Sequence, residues 1–107
     1  MSRSSIGELE HLILLAVLSL GRDASALRVR EELASLDRKV SRGALYRSLD
    51  RLEEKGLCAW SLADPGAHRG GHAKRIYAVT DVGRDVVRER RSTLERLWVQ
   101  AREALEA

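Results

Sequence analysis

Several residue types are scarce in this chain of 107 residues, and each scarcity excludes a class of protein. The single cysteine, Cys58, excludes an internal disulfide framework and is typical of a reducing compartment. The longest apolar stretch, Leu12 to Val17, remains too short to span a bilayer even when the following "LSL" extends it. The acidic residues Glu8 and Glu10, rather than a basic segment, precede this stretch, so we do not expect a secretory signal peptide. We therefore expect a cytoplasmic protein without a membrane partner.

The charged residues that are present are unevenly distributed. Apolar residues make up 44% and charged residues 33%, with a net charge of +3. Residues 38–75 carry nine basic and four acidic side chains, whereas residues 1–37 carry four basic and six acidic ones. A localised basic surface favours a polyanionic partner, nucleic acid first, although an ordinary solvated charged face is the alternative. The small core of one copy favours a partner chain.

The order of the predicted elements is helix, helix, helix, strand, strand, helix. Ser5 and Glu8 form a capping-box pattern, which predicts a first helix over residues 6–20. Asp23 or Ser25 can cap the second helix. Its expected apolar positions are Leu27, Val29, Leu33 and Leu36. Ser41 can cap the third helix, and Gly56 marks its end.

Beyond Gly56 the pattern changes to two short strands, "LCAWSL" and "RIYAVT", around the loop "ADPGAHRGGHAK". Thr80 and Asp81 can cap a final helix. The order predicts a mainly α fold with a small β-hairpin, a winged helix-turn-helix followed by a C-terminal dimerisation helix. We assign residues 1–80 to the winged helix-turn-helix, and expect residues 81–107 to pack with the helix over residues 6–20.

The third helix, "SRGALYRSLDRLEEKGL", has an unusual charge distribution. One stripe of leucines, Leu45, Leu49 and Leu52, is expected to face the core. Arg42, Tyr46 and Arg47 occupy the first two turns, and the acids Asp50, Glu53 and Glu54 follow. The helix dipole favours acidic side chains at the N-terminal end and basic ones at the C-terminal end, the reverse of this order. A function that requires basic residues in the first turns would explain the arrangement.

A recognition helix presents its N-terminal residues to the bases of DNA, so the first turns are the candidate contact. Gly43 faces outward and lets the backbone approach a ligand closely. The alternative is an ordinary amphipathic helix stabilised by i,i+4 pairs. Arg47 with Arg51 is such a pair, but its like charges do not stabilise a helix.

The hairpin loop has two interpretations. Arg69, Lys74 and Arg75 suit phosphates or a narrow minor groove, and a disordered basic loop is the alternative. His68 and His72 with Cys58 could hold zinc, but no fourth ligand is evident and a Gly-rich loop does not align the histidines. Cys58 is better explained as a small buried hydrophobic residue. We predict no metal, no cofactor and no catalytic site, and hence no enzyme.

The last helix carries an apolar repeat. Apolar residues recur at heptad-like spacing, interrupted by Arg91. With the apolar first helix, this stripe predicts a dimer interface. The candidate dimerisation residues are Leu12, Leu15, Val87, Leu94, Leu97, Trp98, Ala101 and Leu105. Trp98 is expected to anchor the dimer core, and its alternative role is a stacking surface for a flat effector.

The sequence resembles the PadR-like family of bacterial transcriptional regulators. The stretches that carry the resemblance are "LGRDASALRVREEL", "VSRGALYRSLDRLEEKGL" and "RGGHAKRIYAVTDVGR", which together cover most of the chain. In one departure, Ser25-Ala26 stands where a Tyr-Gly pair is common in the family. The resemblance implies a homodimer that binds an operator in double-stranded DNA and represses transcription. It places the DNA contacts at Ser41, Arg42, Gly43, Tyr46 and Arg47, together with the basic wing.

The resemblance also bears on Trp98. In some drug-binding PadR-like proteins a tryptophan of this helix flanks a pocket at the dimer centre, and the position within "LERLW" is similar. We therefore expect a homodimeric repressor of a near-palindromic operator that a small-molecule effector could release. The alternative is a winged-helix module that binds another protein and does not bind DNA.

Overall fold

The structure is a computed structural model, and it describes residues 5–63 and 74–107. The predicted order of elements is present. Helices are α1 (Glu8–Leu20), α2 (Ala26–Ser35), α3 (Arg42–Glu54) and α4 (Asp81–Glu106), and strands are β1 (Cys58–Leu62) and β2 (Arg75–Val79). A 3-10 turn, Gly21–Asp23, joins α1 to α2. Within the described ranges, no helix is long and apolar enough to cross a membrane.

Helix α1 begins two residues later than the capping-box pattern predicts. Its N-cap is Gly7 rather than Ser5, and the Glu10 carboxylate accepts a hydrogen bond from the Gly7 amide at 2.9 Å. Glu10 is only 7% exposed, and its other carboxylate oxygen lies 2.9 Å from the Lys55 ammonium. The prediction from Ser5 and Glu8 was wrong because the deciding partner, Lys55, lies at the far end of α3. Glu8 instead pairs with Arg38 at 2.7 Å.

Helix α2 is capped by Ser25, whose hydroxyl accepts from the Arg28 amide at 3.2 Å, while Asp23 lies in the preceding turn. Val29 and Leu33 are buried as predicted. Leu27 and Leu36 are not core residues, since both side chains are largely exposed. Leu36 was assigned wrongly because the helix ends at Ser35. Leu27 lies on the side of α2 that faces solvent.

Helix α3 follows the sequence prediction closely. The Ser41 hydroxyl accepts from the Ala44 amide at 3.1 Å and caps the first turn. The leucine stripe, Leu45, Leu49 and Leu52, is buried together with Ser48. Gly56 has φ +73°, a left-handed conformation that ends the helix. The opposite face of the helix is therefore free for the exposed charged residues.

The two strands form an antiparallel hairpin from Cys58↔Val79 to Leu62↔Arg75. The Tyr77 amide donates to the Ala24 carbonyl at 2.8 Å, which attaches the hairpin to the start of α2. The Thr80 hydroxyl donates to the Gly56 carbonyl at 2.7 Å and accepts from the Gly83 amide at 3.0 Å. One side chain thus joins the end of α3 to the beginning of α4.

Helix α4 has two parts with different surroundings. Its first turns pack into the core through Gly83, Val86 and Val87. All residues from 91 to 107 are exposed. Val87 was expected in the dimer interface, but it is 8% exposed and lies in the core of its own chain. The apolar stripe that remains uncovered therefore starts at Leu94.

Candidate nucleic-acid interface

The first turns of α3 form an exposed basic surface. Arg42, Gly43, Tyr46 and Arg47 are all exposed, Tyr46 at 37%. The Arg42 guanidinium carbon lies 5.8 Å from the centroid of the Tyr46 ring. A Cβ placed on Gly43 would lie 3.1 Å from Nη1 of Arg47, so the Arg47 side chain crosses the space that the glycine leaves open. The small residue at position 43 thus admits the arginine next to the backbone.

A groove joins this surface to the wing. It has a volume of about 340 Å³. Its lining comes from the start of α2, from α3 and from β2: Ser25, Ala26, Leu27, Tyr46, Lys74, Arg75 and Tyr77. A second hollow of about 210 Å³ shares Tyr46 and includes Arg30 and Arg42. Four of the predicted DNA-contact residues therefore line these two adjoining hollows: Arg42, Tyr46, Lys74 and Arg75.

Arg30, Trp60 and Tyr77 belong to this surface or its support, although no sequence pattern indicated a site role for them. Arg30 Nε donates to the Val40 carbonyl at 2.9 Å and ties α2 to the link before α3. The Arg75 guanidinium carbon lies 4.1 Å from the centroid of the Trp60 ring. The strand pattern in the sequence did not predict the contact between Arg75 and Trp60, because it does not show how β1 and β2 are aligned.

The Tyr77 hydroxyl lies close to several polar groups of the interface. Burial raises the pKa of this hydroxyl above its ordinary value, and a hydrogen bond with Arg75 partly opposes the effect. The charge of Asp50 on α3 and the Tyr46 hydroxyl also raise the pKa of Tyr77. Tyr77 therefore lies where the wing meets the exposed side of α3.

Cys58 has the properties of a buried structural thiol. Burial raises its pKa to about 11, as expected for a thiol that lies in the core. Within residues 5–63 and 74–107, no group of three or more His, Cys, Asp and Glu side chains could hold a metal ion. Arg69, His68 and His72 lie outside the described residues, so the DNA contact predicted for Arg69 and the expected absence of a metal site at the histidines both stay predictions.

Comparison with known proteins identifies the family. The sequence model of the Transcriptional regulator PadR-like family matches residues 14–89, which include α2, α3, both strands and the first turns of α4. The chain belongs to the PadR-like family. This membership confirms the resemblance seen in the sequence. Members of the family are described as transcriptional regulators, not as enzymes, in agreement with the prediction for this chain.

One curated relative has the name Transcriptional regulator Rv3488 and comes from Mycobacterium tuberculosis. It is 40% identical to this PadR-like chain over 75 residues. The match takes in 70% of this chain but spans only 64% of the length of that relative.

Solved PadR-family structures have the same fold. A PadR family regulator from Eggerthella lenta is 27% identical, with a TM-score of 0.69, covering 94% of this chain and 88% of that one. A PadR family regulator from Clostridium difficile aligns with a TM-score of 0.74 over 92% of this chain and 99% of that one. At 18% identity the second likeness concerns the fold alone. Together they confirm the predicted class, mainly helical with a two-stranded antiparallel sheet and a C-terminal helix.

Proposed function

We propose that this PadR-like chain is a sequence-specific DNA-binding regulator that represses transcription from a near-palindromic operator as a homodimer. One observation carries the proposal. Tyr46 of α3 lines the same groove as Lys74 and Arg75 of the wing, so the first turns of α3 and the base of the wing form one basic face. A polyanion is the natural ligand of such a face. We expect the protein to act in the cytoplasm, beside its DNA.

Within this proposal the residues divide into two groups. Tyr46 and Arg47 contact base edges in the major groove, and Gly43 permits the close approach of the backbone. Phosphate contacts position the protein on the duplex. We assign that role to Ser41, Arg42, Arg69, Lys74 and Arg75. The acids Asp50, Glu53 and Glu54 follow along α3 and are expected to lie away from the phosphates.

Arg47→Ala is the first test of this proposal. We expect it to lose roughly 1–3 kcal/mol of operator binding if the guanidinium contacts a guanine. The measurement is fluorescence anisotropy with DNA from upstream of the chain's own gene, at several salt concentrations. Arg102→Ala removes the same charge from an exposed position near the end of α4 and serves as the matched control. Equal weakening on all DNA sequences would make Arg47 a phosphate contact instead.

The salt series also separates the proposal from its alternative. The logarithm of the binding constant for duplex DNA should fall linearly with the logarithm of the salt concentration, with a slope that reports the number of phosphates contacted. No affinity for the duplex, or affinity that does not change with salt, would favour a winged-helix module that binds another protein.

The exposed part of α4 supports the homodimer. Leu94, Leu97, Trp98, Ala101 and Leu105 fall within an arc of about 100° on a helix of 100° per residue. The leucines and Trp98 are exposed, Trp98 at 57%. Such an apolar stripe is typical of a protein interface, and a second copy of α4 is complementary to it. Leu15 of α1, also exposed, and the partly buried Leu12 are the proposed contributors from the first helix.

Sedimentation equilibrium of two charge substitutions tests the dimer. Leu94→Glu places a charge in the apolar stripe and should give a monomer. Val99→Glu is the control, because Val99 is 63% exposed but lies on the opposite side of the helix from Leu94. In the dimer the two α3 helices should meet half-sites about 34–36 Å apart. A footprint with a single asymmetric half-site would contradict the arrangement.

The effector role of Trp98 is the last part of the proposal. A shallow hollow of about 430 Å³ is lined by Leu94, Glu95, Leu97, Trp98 and Ala101. A flat aromatic cation can stack on the indole of Trp98. Glu95, which pairs with Arg91 at 2.8 Å, lies at the edge of the same hollow. Titration with aromatic cations should quench the Trp98 fluorescence and weaken DNA binding. A response that persists in Trp98→Ala would remove this role.

A further inference from the structure

Three side chains of the wing lie on one face of the hairpin. The register pairs Trp60 with Tyr77 and Leu62 with Arg75, so Trp60, Tyr77 and Arg75 share that face. The Arg75 guanidinium carbon is 4.1 Å from the Trp60 ring centroid, within the range of a cation–π contact. Arg75 and Tyr77 also line the same groove. Trp60 packs against the core, and Arg75 is exposed at the rim of the groove.

We propose that Trp60 is a positioning residue for Arg75, whose guanidinium it holds at the base of the wing for contact with a DNA phosphate. The inference rests on the proposed DNA-binding function and deepens it. A guanidinium that stacks by its planar face keeps N–H donors at its edge, and these match a phosphate. A side chain ordered before binding loses less conformational entropy when the complex forms.

Lys74 provides the contrast inside the same groove. It lines the groove next to Arg75 and carries the same charge. Within the described residues, no aromatic ring is recorded over its ammonium group, whereas Arg42 and Arg75 each have one. Removal of the indole should therefore affect the contribution of Arg75 to DNA binding and leave that of Lys74 unchanged.

A double-mutant cycle on operator affinity tests the proposal. Arg75→Ala should weaken binding by about tenfold, as expected for a charge-assisted hydrogen bond. Trp60→Leu should weaken it by about three- to tenfold, and Trp60→Phe, which keeps an aromatic face, by about twofold at most. In the Arg75→Ala background Trp60→Leu should have no further effect. In the Lys74→Ala background its full effect should remain. An effect of Trp60→Leu that is equally large without Arg75 would overturn the proposal.

Arg75→Lys gives a second route that leaves Trp60 and its packing intact. Lysine keeps the charge but lacks the planar group that stacks and donates two parallel hydrogen bonds. We expect a loss of about three- to tenfold in operator affinity with an unchanged melting temperature. Full affinity in Arg75→Lys would contradict the proposal, even if Trp60→Leu did not fold.

Proton NMR of the free protein separates this inference from the proposed function. At 4.1 Å from the ring centroid, the guanidinium carbon of Arg75 places its neighbouring δ protons in the ring current of Trp60. These protons should be shifted upfield in the wild type and return to ordinary values in Trp60→Leu. A protein that shows the shift but binds no DNA refutes the proposed function. Ordinary δ-proton shifts in a wild type that does bind DNA refute the positioning role alone.

Discussion

Gly83→Ala should destabilise the fold, because at this residue α4 packs directly against the backbone of Leu57 and the side chain of Val79. A Cβ there would overlap the Leu57 carbonyl oxygen and lie 2.7 Å from Cγ1 of Val79. Neither atom is the end of a flexible side chain, so the helix must move as a whole. Movement also strains the hydrogen bond from the Thr80 amide to the Leu57 carbonyl, which measures 3.1 Å.

The magnitude for Gly83→Ala follows from three opposing contributions. Overpacking costs about 1–3 kcal/mol, and a weakened hydrogen bond costs about 1 kcal/mol. The higher helix propensity of alanine returns about 1 kcal/mol. The net loss in free energy of unfolding is about 2 kcal/mol, which corresponds to a melting temperature lower by about 10 °C.

Urea unfolding followed by circular dichroism, at a fixed protein concentration, measures this loss. Gly43→Ala is the matched control. Gly43 is also a helical glycine, but the nearest atom to its added Cβ is the mobile end of Arg47, at 3.1 Å. That substitution should stabilise the protein by about 0.5–1 kcal/mol. Unchanged or increased stability of Gly83→Ala would refute the close packing of α4 against Leu57.

Three further predictions concern buried or bridging groups. Burial alone raises the pKa of Glu10, but the Gly7 amide and Lys55 outweigh it and lower that pKa below 4.5. The carboxyl of the unfolded chain then takes up a proton at a higher pH than that of the folded protein. The free energy of unfolding should therefore fall as the pH drops below about 4.5. Glu10→Gln should flatten this pH dependence in acid titrations followed by circular dichroism. The Cys58 thiol is buried and its pKa is raised to about 11, so it should resist alkylation by iodoacetamide at pH 8 until urea unfolds the chain. Rapid alkylation of the native protein would disprove its burial. Thr80→Val should cost about 1–2 kcal/mol of unfolding free energy, whereas Thr93→Val, which removes a hydroxyl bonded only within α4, should change it little. Equal effects of the two threonine substitutions would argue against the bridge.

Features that depend on nearby residues were predictable from the sequence. The Ser41 cap, the buried leucines of α3 and the turn at Gly56 each depend on neighbours within one or two turns. The N-cap of α1 was not predictable in this way, because Glu10 binds a lysine 45 positions away. Val87 was predicted in the dimer interface but is buried in its own chain. The heptad spacing continues from the buried part of α4 into the exposed part, so it does not show where the helix leaves the core.

Some residues of the candidate interface were predictable from the sequence, but Arg30, Trp60 and Tyr77 and the arrangement of the whole surface were not. The charge order along α3 indicated Arg42, Tyr46 and Arg47, and the loop composition indicated Lys74 and Arg75. The groove that Tyr46 shares with Lys74 and Arg75 depends on the attachment of β2 to Ala24, which local patterns do not contain. The contact between Trp60 and Arg75 likewise depends on the strand register.

The junction at Thr80 has a consequence for how motion passes through the molecule. Only this residue separates β2 from α4, and its hydroxyl and amide bond to the residues that end α3, so the junction has no hinge. Two hydrogen bonds of one residue therefore couple the start of α4 to the chain that follows α3. We expect a tilt imposed on the exposed end of α4 to change the angle at which α3 meets DNA.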